Sequence, residues 1–426
     1  MMGNSAAKFD LPAFLMLLLS GLGLLGILTA AAGLAFAGLF ALLAGGALGD
    51  RALPILSLAW AAVFFCLLLL PSLINAFIRL LNLNRPTIGL PHRLRLASLF
   101  MLFFPALVVS GDYLSLQSDF SWLLLPPLQI LVTVIPIWWI FEVGRRGLTM
   151  SERRRGWGLV SFNMLINQPL ILVAEIGLFL ILGALAALWL SGRPELFGEL
   201  QRLAQRVADA GMDPAALQRM LLPFLQQPLV LLGILVMAAG LIPMLEELLK
   251  PLALWGLAGR GGFTPVDGFV GGMLCGATFA LMETLGNLSN PLDLWAAVVV
   301  GRFGTALLHI TTSGLVGWGL ASALAEEKYA RLGAGYLLAV GLHALWNVFG
   351  IMVGISPLID GADAPAFVVL NQRLGMVAPL AMAALTATLF LILLGSNRRL
   401  RKASRPAGED GVVEAVGPLG AENESV

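Results

Sequence analysis

The stretch LIPMLEELLKPLALW, residues 241–255, carries three charged side chains in an otherwise apolar run. The charges belong to Glu246, Glu247 and Lys250, and apolar residues on both sides extend the run far enough to cross a bilayer. A charge placed in lipid costs several kcal/mol unless it faces a partner or water. We therefore expect this helix to turn its charges toward a polar interior formed with other membrane helices.

The composition of the whole chain agrees with a membrane protein. Of its 426 residues, 58% are hydrophobic and only 12% are charged, which is too apolar for a soluble protein of this length. Repeated apolar segments of 18 or more residues predict an all-α, polytopic membrane protein with about ten transmembrane helices. The net charge of +1 gives no sign of a nucleic-acid partner. Cys66 and Cys275 lie in apolar segments and predict neither a disulfide nor a cysteine metal site.

Basic residues orient the expected spans. They cluster in Arg79–Arg95, in Arg145–Arg155 and in Arg398–Lys402, and all three clusters fall on one side. This side is the expected cytoplasm, so we predict a multi-pass membrane protein with a cytoplasmic C-terminus. The first segment is Gly-rich and too long for one straight crossing of about 30 Å, so a single crossing and a tight pair of crossing helices both remain open. The expected spans are 11–48, 53–83, 95–110, 122–142, 158–190, 228–257, 264–286, 293–321, 333–354 and 373–395.

The spans divide the chain into regions. The N-terminal region ends in an extracytoplasmic amphipathic segment, where we expect two short helices on the membrane surface. Asp213 followed by Pro214 is a helix-start signal for the second of them. The predicted regions are an N-terminal transmembrane region at 1–227 with its amphipathic segment at 191–227, a polar core at 228–354, the last span with its basic flank at 355–402, and a disordered acidic tail at 403–426.

Polar side chains recur on four successive spans of the core. Two of the three histidines of the chain lie there, on consecutive spans. A single buried ion pair or histidine is often only a packing feature, whereas four spans in succession indicate a shared functional site. The candidate site residues are Glu246, Glu247, Lys250, Glu283, Arg302, His309, His343 and Asn347. Outside the core, Asn163, Asn167 and Glu175 are interpreted as an interhelical hydrogen-bond network.

Helical spacing sorts the expected partners within this set. Glu246 and Lys250 are four residues apart with the acid first, which favours an ion pair. Lys250 is also three residues after Glu247 and can neutralise either acid, but the better spacing to Glu246 favours Glu247 as the freer acid. Pro251 cannot donate to the carbonyl of Glu247, so a bend is expected there. At about 1.5 Å per residue, Glu246, His309 and His343 lie roughly 16–20 Å from the basic ends of their spans, whereas Glu283 lies near 27 Å.

Carboxylates and imidazoles at mid-membrane suit two hydrolytic mechanisms. Two histidines and one glutamate bind zinc, and a further glutamate activates water. Alternatively, a glutamate is the general base without any metal, and His and Asn stabilise the oxyanion. A proton-coupled carrier also buries Glu and His, so a carrier or another non-proteolytic membrane protein is the alternative to an enzyme.

The four motifs together resemble a known family. EELLK at 246–250, FALME at 279–283, the segment around His309 and HALWN at 343–347 look like the successive motifs of the PrsW family of intramembrane proteases. That family is distantly similar to the CAAX prenyl endopeptidases. The resemblance covers about residues 228–354, and it implies hydrolysis of a peptide bond in a membrane protein or peptide substrate, within or near the bilayer.

The resemblance also implies roles for individual residues. Glu246 or Glu247 would supply the water-activating carboxylate, and Lys250 would set the charge state of that pair. Asn347 would support His343, and Arg302 is a supporting residue. The zinc-bound form, with His309, His343 and Glu283 as the candidate ligands, and the metal-free form both remain open.

Overall fold

The computed structural model describes residues 9–49, 51–83, 85–116, 120–152, 155–209, 227–258, 263–288, 294–355 and 366–404. Every regular element in these ranges is helical. Nine helices there are long and apolar enough to cross a membrane, or ten if one bent pair forms a single span. The predicted all-α polytopic fold is therefore confirmed. The helices are α1 (Leu11–Ala44), α2 (Ala52–Leu80), α3 (Leu94–Met101), α4 (Phe104–Ser115), α5 (Ser121–Gly144), α6 (Arg155–Phe162), α7 (Gln168–Ser191), α8 (Pro194–Asp209), α9 (Pro228–Leu235), α10 (Ile242–Leu249), α11 (Leu252–Ala258), α12 (Pro265–Leu288), α13 (Trp295–Glu326), α14 (Tyr329–Ile355) and α15 (Ala366–Ala403), with a short helical turn at Gly46–Gly49.

The first apolar segment crosses once. Asp10 caps α1, its Oδ1 accepting a hydrogen bond from the backbone N–H of Ala13 at 3.0 Å. The helix then continues for 34 residues, and Gly45 ends it with a φ of 66°. Helix α2 returns against α1. A tight pair within this segment is thus excluded in favour of one long helix.

The expected span at 95–110 consists of two helices. Helices α3 and α4 meet at an angle of 43°, and each alone is short for a span. Pro105 lies at the start of α4 and cannot donate a hydrogen bond to the carbonyl of Met101. The missing hydrogen bond explains the break between the two helices.

Hydrogen bonds at one end of the bundle bring together the basic clusters. Asn397 of α15 donates to the carbonyls of Gly144 (2.8 Å) and Arg146 (2.9 Å), and Ser151 donates its backbone N–H to Asp267 of α12 (2.7 Å). Arg79 and Arg155 line one groove at this end, and Arg331 and Arg399 line another. We refer to it as the basic end. That it faces a cytoplasm stays a prediction.

Helices α12 and α13 form the centre of the bundle. The most apolar 18-residue windows of both are 89% buried, whereas the corresponding window of α1 is 11% buried. The two backbones approach very closely, because a Cβ on Gly272 would lie 2.1 Å from the Ser313 carbonyl oxygen and one on Gly276 would lie 2.0 Å from that of His309. Small residues at this interface allow the contact, and the contact holds the His309 backbone against α12.

The predicted regions are only partly described. Helix α8 covers the first half of the amphipathic segment 191–227, but its place on a membrane surface stays a prediction. The helix start at Asp213 and Pro214 lies outside the described residues, as does the acidic tail from residue 405 onward. The boundaries at 227, 354 and 402 are likewise predictions that the helices do not test.

Candidate active site

The chain around the acidic pair departs from a regular helix on both sides. Before it, Val236–Leu241 form a π-helical segment, and after it α10 ends at Leu249. Because Pro251 has no N–H for the Glu247 carbonyl, the helix is interrupted and α11 begins at Leu252. The expected break at Pro251 is confirmed. Segments of π-helix occur frequently at functional sites.

A second π-helical segment, Asn163–Asn167, supports this break. The Nδ2 of Asn167 donates to the Lys250 carbonyl at 2.9 Å and to Asn163 Oδ1 at 2.7 Å. Asn163 in turn donates to the carbonyl of Leu159 at 2.8 Å. The predicted polar network is therefore confirmed for the two asparagines, and it holds the backbone of Lys250 in place.

Lys250 connects three site residues. Its Nζ lies 2.8 Å from Glu246 Oε2, 2.8 Å from Glu247 Oε1 and 2.9 Å from His309 Nδ1, which matches the three donors of an ammonium group. The expectation that Glu247 is the freer acid is wrong, because Lys250 is three residues from Glu247 as well as four from Glu246 and reaches both.

Each imidazole is held by one carboxylate. His343 donates through Nδ1 to Glu247 Oε1 (2.9 Å), and His309 donates through Nε2 to Glu283 Oε2 (3.0 Å). This arrangement leaves His343 Nε2 directed toward Glu246 Oε2, 4.0 Å away. A carboxylate on one ring nitrogen fixes the tautomer and orientation of the ring for work at the other nitrogen. The two rings meet edge to face, with their centroids 5.1 Å apart.

The charged group that supports Glu283 is Arg302. Its Nη1 lies 2.9 Å from Glu283 Oε1, as expected for a supporting residue. The expected difference in depth between Glu283 and His309 disappears, because α13 continues to Glu326 rather than ending at 321. Measured from the basic end, both residues then lie about 26–27 Å along their helices.

An aromatic ring completes the surroundings of Lys250. The Nζ lies 4.2 Å from the ring centroid of Phe279, a cation–π distance, and the same ring meets His309 edge-on with centroids 4.8 Å apart. Phe279 lies one helical turn before Glu283. The aromatic residue of the FALME motif therefore touches both Lys250 and His309.

Asn347 does not have its expected partner. Its Nδ2 donates to the carbonyl of Ala238 at 2.7 Å, within the first π-helical segment, rather than supporting His343. The π-helical turn changes the hydrogen-bond pattern of the backbone, and the Ala238 carbonyl accepts this side chain. Asn347 thus ties α14 to the segment before the acidic pair, while Glu247 holds His343.

A carboxyl group from outside the core also reaches the site. The carboxyl group of Glu175 of α7 interacts with that of Glu246 of α10. The interhelical contact expected for Glu175 is therefore present, with Glu246 of α10 as the partner. Sequence spacing within one helix could not reveal this contact between helices.

Burial divides the site into a closed part and an open part. The Glu247 and Lys250 side chains are fully buried and that of Glu246 is 10% exposed, whereas those of Glu283 and Arg302 are 32% and 21% exposed. Access to the site is therefore from the side of Glu283 and Arg302. Among the buried atoms that lack a hydrogen-bond partner are Glu246 Oε2 and Glu247 Oε2. The contact of Glu246 Oε2 with Lys250 Nζ at 2.8 Å is an ion pair.

Three of the residues form a candidate metal-binding set. Glu246, His309 and His343 each offer one ligand atom, and these atoms lie within 4.8 Å of one another. The predicted set contained Glu283 instead of Glu246, but Glu283 holds the far nitrogen of His309. Two imidazoles and one carboxylate fit zinc by donor type. Lys250 contacts two of the three donors and would have to turn aside.

The third histidine lies at the basic end, away from this site. His92 Nδ1 is 2.7 Å from Glu142 Oε2, and Trp138 donates its indole N–H to Glu142 Oε1 at 3.3 Å. Arg145 also pairs with the fully buried Glu142. This cluster attaches the loop before α3 to the end of α5, and we assign it no part in the site.

The comparisons with known proteins agree with the motifs. No curated protein and no solved structure gives a significant match to the chain. The family model described as "PrsW family intramembrane metalloprotease" matches residues 178–395. This match covers just over half of the chain and extends beyond residues 228–354, which the motifs cover. The matched region contains all eight predicted site residues, whereas Glu175 lies three residues before it. The chain therefore belongs to the PrsW family of intramembrane proteases.

Proposed function

We propose that the protein hydrolyses peptide bonds of membrane-associated substrates at the Glu/His cluster, with Glu246 as the group that activates water. The observation that carries this proposal is the convergence of Glu246, His309 and His343, whose ligand atoms lie within 4.8 Å inside the membrane-spanning helices. Buried charges are costly in a membrane protein, so such a cluster is expected where chemistry needs it.

Glu246 is favoured over Glu247 by its surroundings. Glu247 is fully buried, and its Oε1 already accepts from both Lys250 and His343. The Glu246 side chain is 10% exposed, and its Oε2, which lies 2.8 Å from Lys250 Nζ, also faces His343 Nε2 at 4.0 Å. In the proposed reaction, Glu246 accepts a proton from the attacking water and returns it to the leaving amine.

The other residues position these groups. Glu247 orients His343, Glu283 orients His309, and Arg302 balances the charge of Glu283. Lys250 places one positive charge between the two adjacent carboxylates, since its Nζ lies 2.8 Å from each. Such a framework gives the reacting groups fixed positions before substrate binds, which is the main requirement for electrostatic catalysis.

The site residues would also hold the zinc ion that the family description implies. In the zinc-bound form, Glu246, His309 and His343 are the three that would bind it, and Glu246 would then act as a ligand rather than as the general base. Zinc in such a donor set supplies Lewis-acid activation of water and of the scissile carbonyl. Metal analysis of purified protein decides this part, and equal zinc content in wild type, His309→Ala and His343→Ala would remove zinc from the proposal.

The substrate would reach the cluster from the side of Glu283 and Arg302, where the site is most exposed. A segment of a membrane protein is the expected substrate class, because a soluble peptide would have to partition into the bilayer first. We further propose a bacterial plasma membrane, as the family resemblance implies. The arginine clusters support a cytoplasmic position for the basic end and the C-terminus.

The proposal is tested on membranes from cells that produce either wild-type protein or the Glu246→Gln variant at equal levels. Free amino termini are labelled and identified by mass spectrometry. We expect new internal amino termini in membrane proteins with the wild type and none with the variant. Identical sets of termini would reject proteolysis at Glu246, and proton flux into liposomes without any cleaved protein would favour the carrier instead.

A further inference from the structure

A second groove, unrelated to the active site, lies at the basic end between α13, α14 and α15. It has a volume of about 830 Å³, within the range of roughly 300–1,000 Å³ that small-molecule sites occupy. Trp318 of α13 lines it, nine residues after His309, or about two and a half helical turns. The groove therefore opens on the face of α13 opposite to the catalytic cluster.

Small side chains on one face of α15 create the space. Thr388, Gly395, Ser396 and Ala403 line the groove there, and a Cβ on Gly395 would meet no atom within 4 Å. Apolar side chains from α13, α14 and α15 provide the walls. Leu338 and Leu391 among them are 46% and 69% exposed in the bundle and thus face the bilayer. The groove is open to lipid along its length.

Charged residues gather at the mouth of the groove. Arg331 lies 2.8 Å from Glu326 and 5.5 Å from the ring of Trp318, and Lys328 lies 3.0 Å from the same carboxylate. Two cations therefore share one acid. Arg399 adds a further positive charge, and no ion pair with it occurs in the part of the chain that the structure describes. The mouth carries a positive balance that suits a phosphate group.

The dimensions of the groove fit one phospholipid. Arg399 and Thr388 are 11 residues apart on α15, which is about 17 Å along the helix. One leaflet of the hydrocarbon core is about 15 Å deep, half of the roughly 30 Å total. A headgroup phosphate at Arg399 would therefore place an acyl chain along the small residues as far as Thr388.

We propose that this groove binds an anionic phospholipid, with the phosphate at Arg399 and Arg331 and one acyl chain between α14 and α15. Basic pockets between membrane helices bind such headgroups through charge, and the bilayer supplies the ligand directly. The proposal requires only that the chain lies in a membrane. It does not depend on the catalytic role of Glu246.

Native mass spectrometry of the detergent-purified full chain tests the proposal, with phosphatidylglycerol and phosphatidylcholine as probes. The wild-type protein should retain phosphatidylglycerol in preference to phosphatidylcholine. Arg399→Ala should weaken phosphatidylglycerol binding about fivefold, the effect of one basic residue near a lipid phosphate, and should leave phosphatidylcholine unchanged. Gly395→Leu should reduce binding of both lipids, because its side chain fills the acyl path without meeting the backbone.

Matched controls distinguish binding in the groove from nonspecific electrostatic attraction of the lipid to basic residues. Arg398 is the exposed neighbour of Arg399 and does not line the groove, so Arg398→Ala should have no effect. Gly183 also has open space at its Cβ, and Gly183→Leu controls for the added leucine. Equal retention of the two lipids by wild type, equal losses in Arg398→Ala and Arg399→Ala, or unchanged binding in Gly395→Leu would each overturn the proposal.

Discussion

Replacing Lys250 by methionine removes a charge at almost constant side-chain length. In the folded protein, the Nζ lies within 2.9 Å of Glu246, Glu247 and His309, and it lies over the ring of Phe279. The Lys250 side chain is fully buried, as is that of Glu247. The Lys250→Met variant would therefore keep the packing volume but leave two adjacent carboxylates without their shared cation.

The expected loss follows from this burial. Removing one partner of a buried ion pair costs about 3–5 kcal/mol, because the remaining charge is left uncompensated in a poorly polarisable site. Lys250 serves two acids at once, so we expect the variant to lose about 5 kcal/mol of unfolding free energy. Lys328→Met is the matched control, since its side chain is 50% exposed and contacts one carboxylate. An exposed pair of this kind is worth less than about 1 kcal/mol.

Denaturant unfolding in detergent micelles measures both variants against the wild type. The double variant Lys250→Met, Glu247→Gln removes the cation together with one acid, and it should recover more than half of the loss. A loss below about 1 kcal/mol for Lys250→Met, or no recovery in the double variant, would refute the argument that Lys250 stabilises the acidic pair.

Three further perturbations test the remaining parts of the site. Glu283→Gln weakens the carboxylate that orients His309, so kcat should fall about 10–100-fold, as for other groups that position a catalytic histidine; an unchanged kcat would remove this role. Gly276→Ala places a Cβ 2.0 Å from the His309 carbonyl oxygen and should lower the free energy of unfolding by at least about 1–3 kcal/mol. Gly177→Ala, where the added Cβ meets open space, should leave it unchanged, and thermal unfolding of the two variants measures the difference. Lys250 competes for two of the zinc donors, so elemental analysis should find tighter zinc retention in Lys250→Met than in wild type and weaker retention in His343→Ala; equal retention in all three would contradict a zinc site.

Hydropathy predicted most of the fold because each span must satisfy its own backbone within lipid. Helix α13 differs from its expected span at the C-terminal end, since it continues to Glu326 beyond the point where apolar residues thin out. Its buried position explains this, because a helix surrounded by protein need not end where lipid ends. The first segment could not be decided from the sequence, since a Gly-rich run permits both a turn and a continuous helix.

The same logic predicted the members of the site but not their pairing. Charged groups on four successive spans had to meet in a polar interior, and the structure brings seven of the eight together. Contacts between helices depend on their rotation and depth, which spacing within one helix does not fix. This is why Asn347 was paired with His343 instead of Ala238, and why the contact of Glu175 with Glu246 was missed.

The most direct measurement of the central claim is the kcat of the purified enzyme and its Glu246→Gln variant on one substrate in lipid nanodiscs, together with their unfolding free energies. Loss of a general base lowers a rate by about 10²–10⁴. We expect a fall of this size in kcat with stability changed by less than about 1 kcal/mol. A variant that retains kcat within about threefold of the wild type would contradict the assignment of water activation to Glu246.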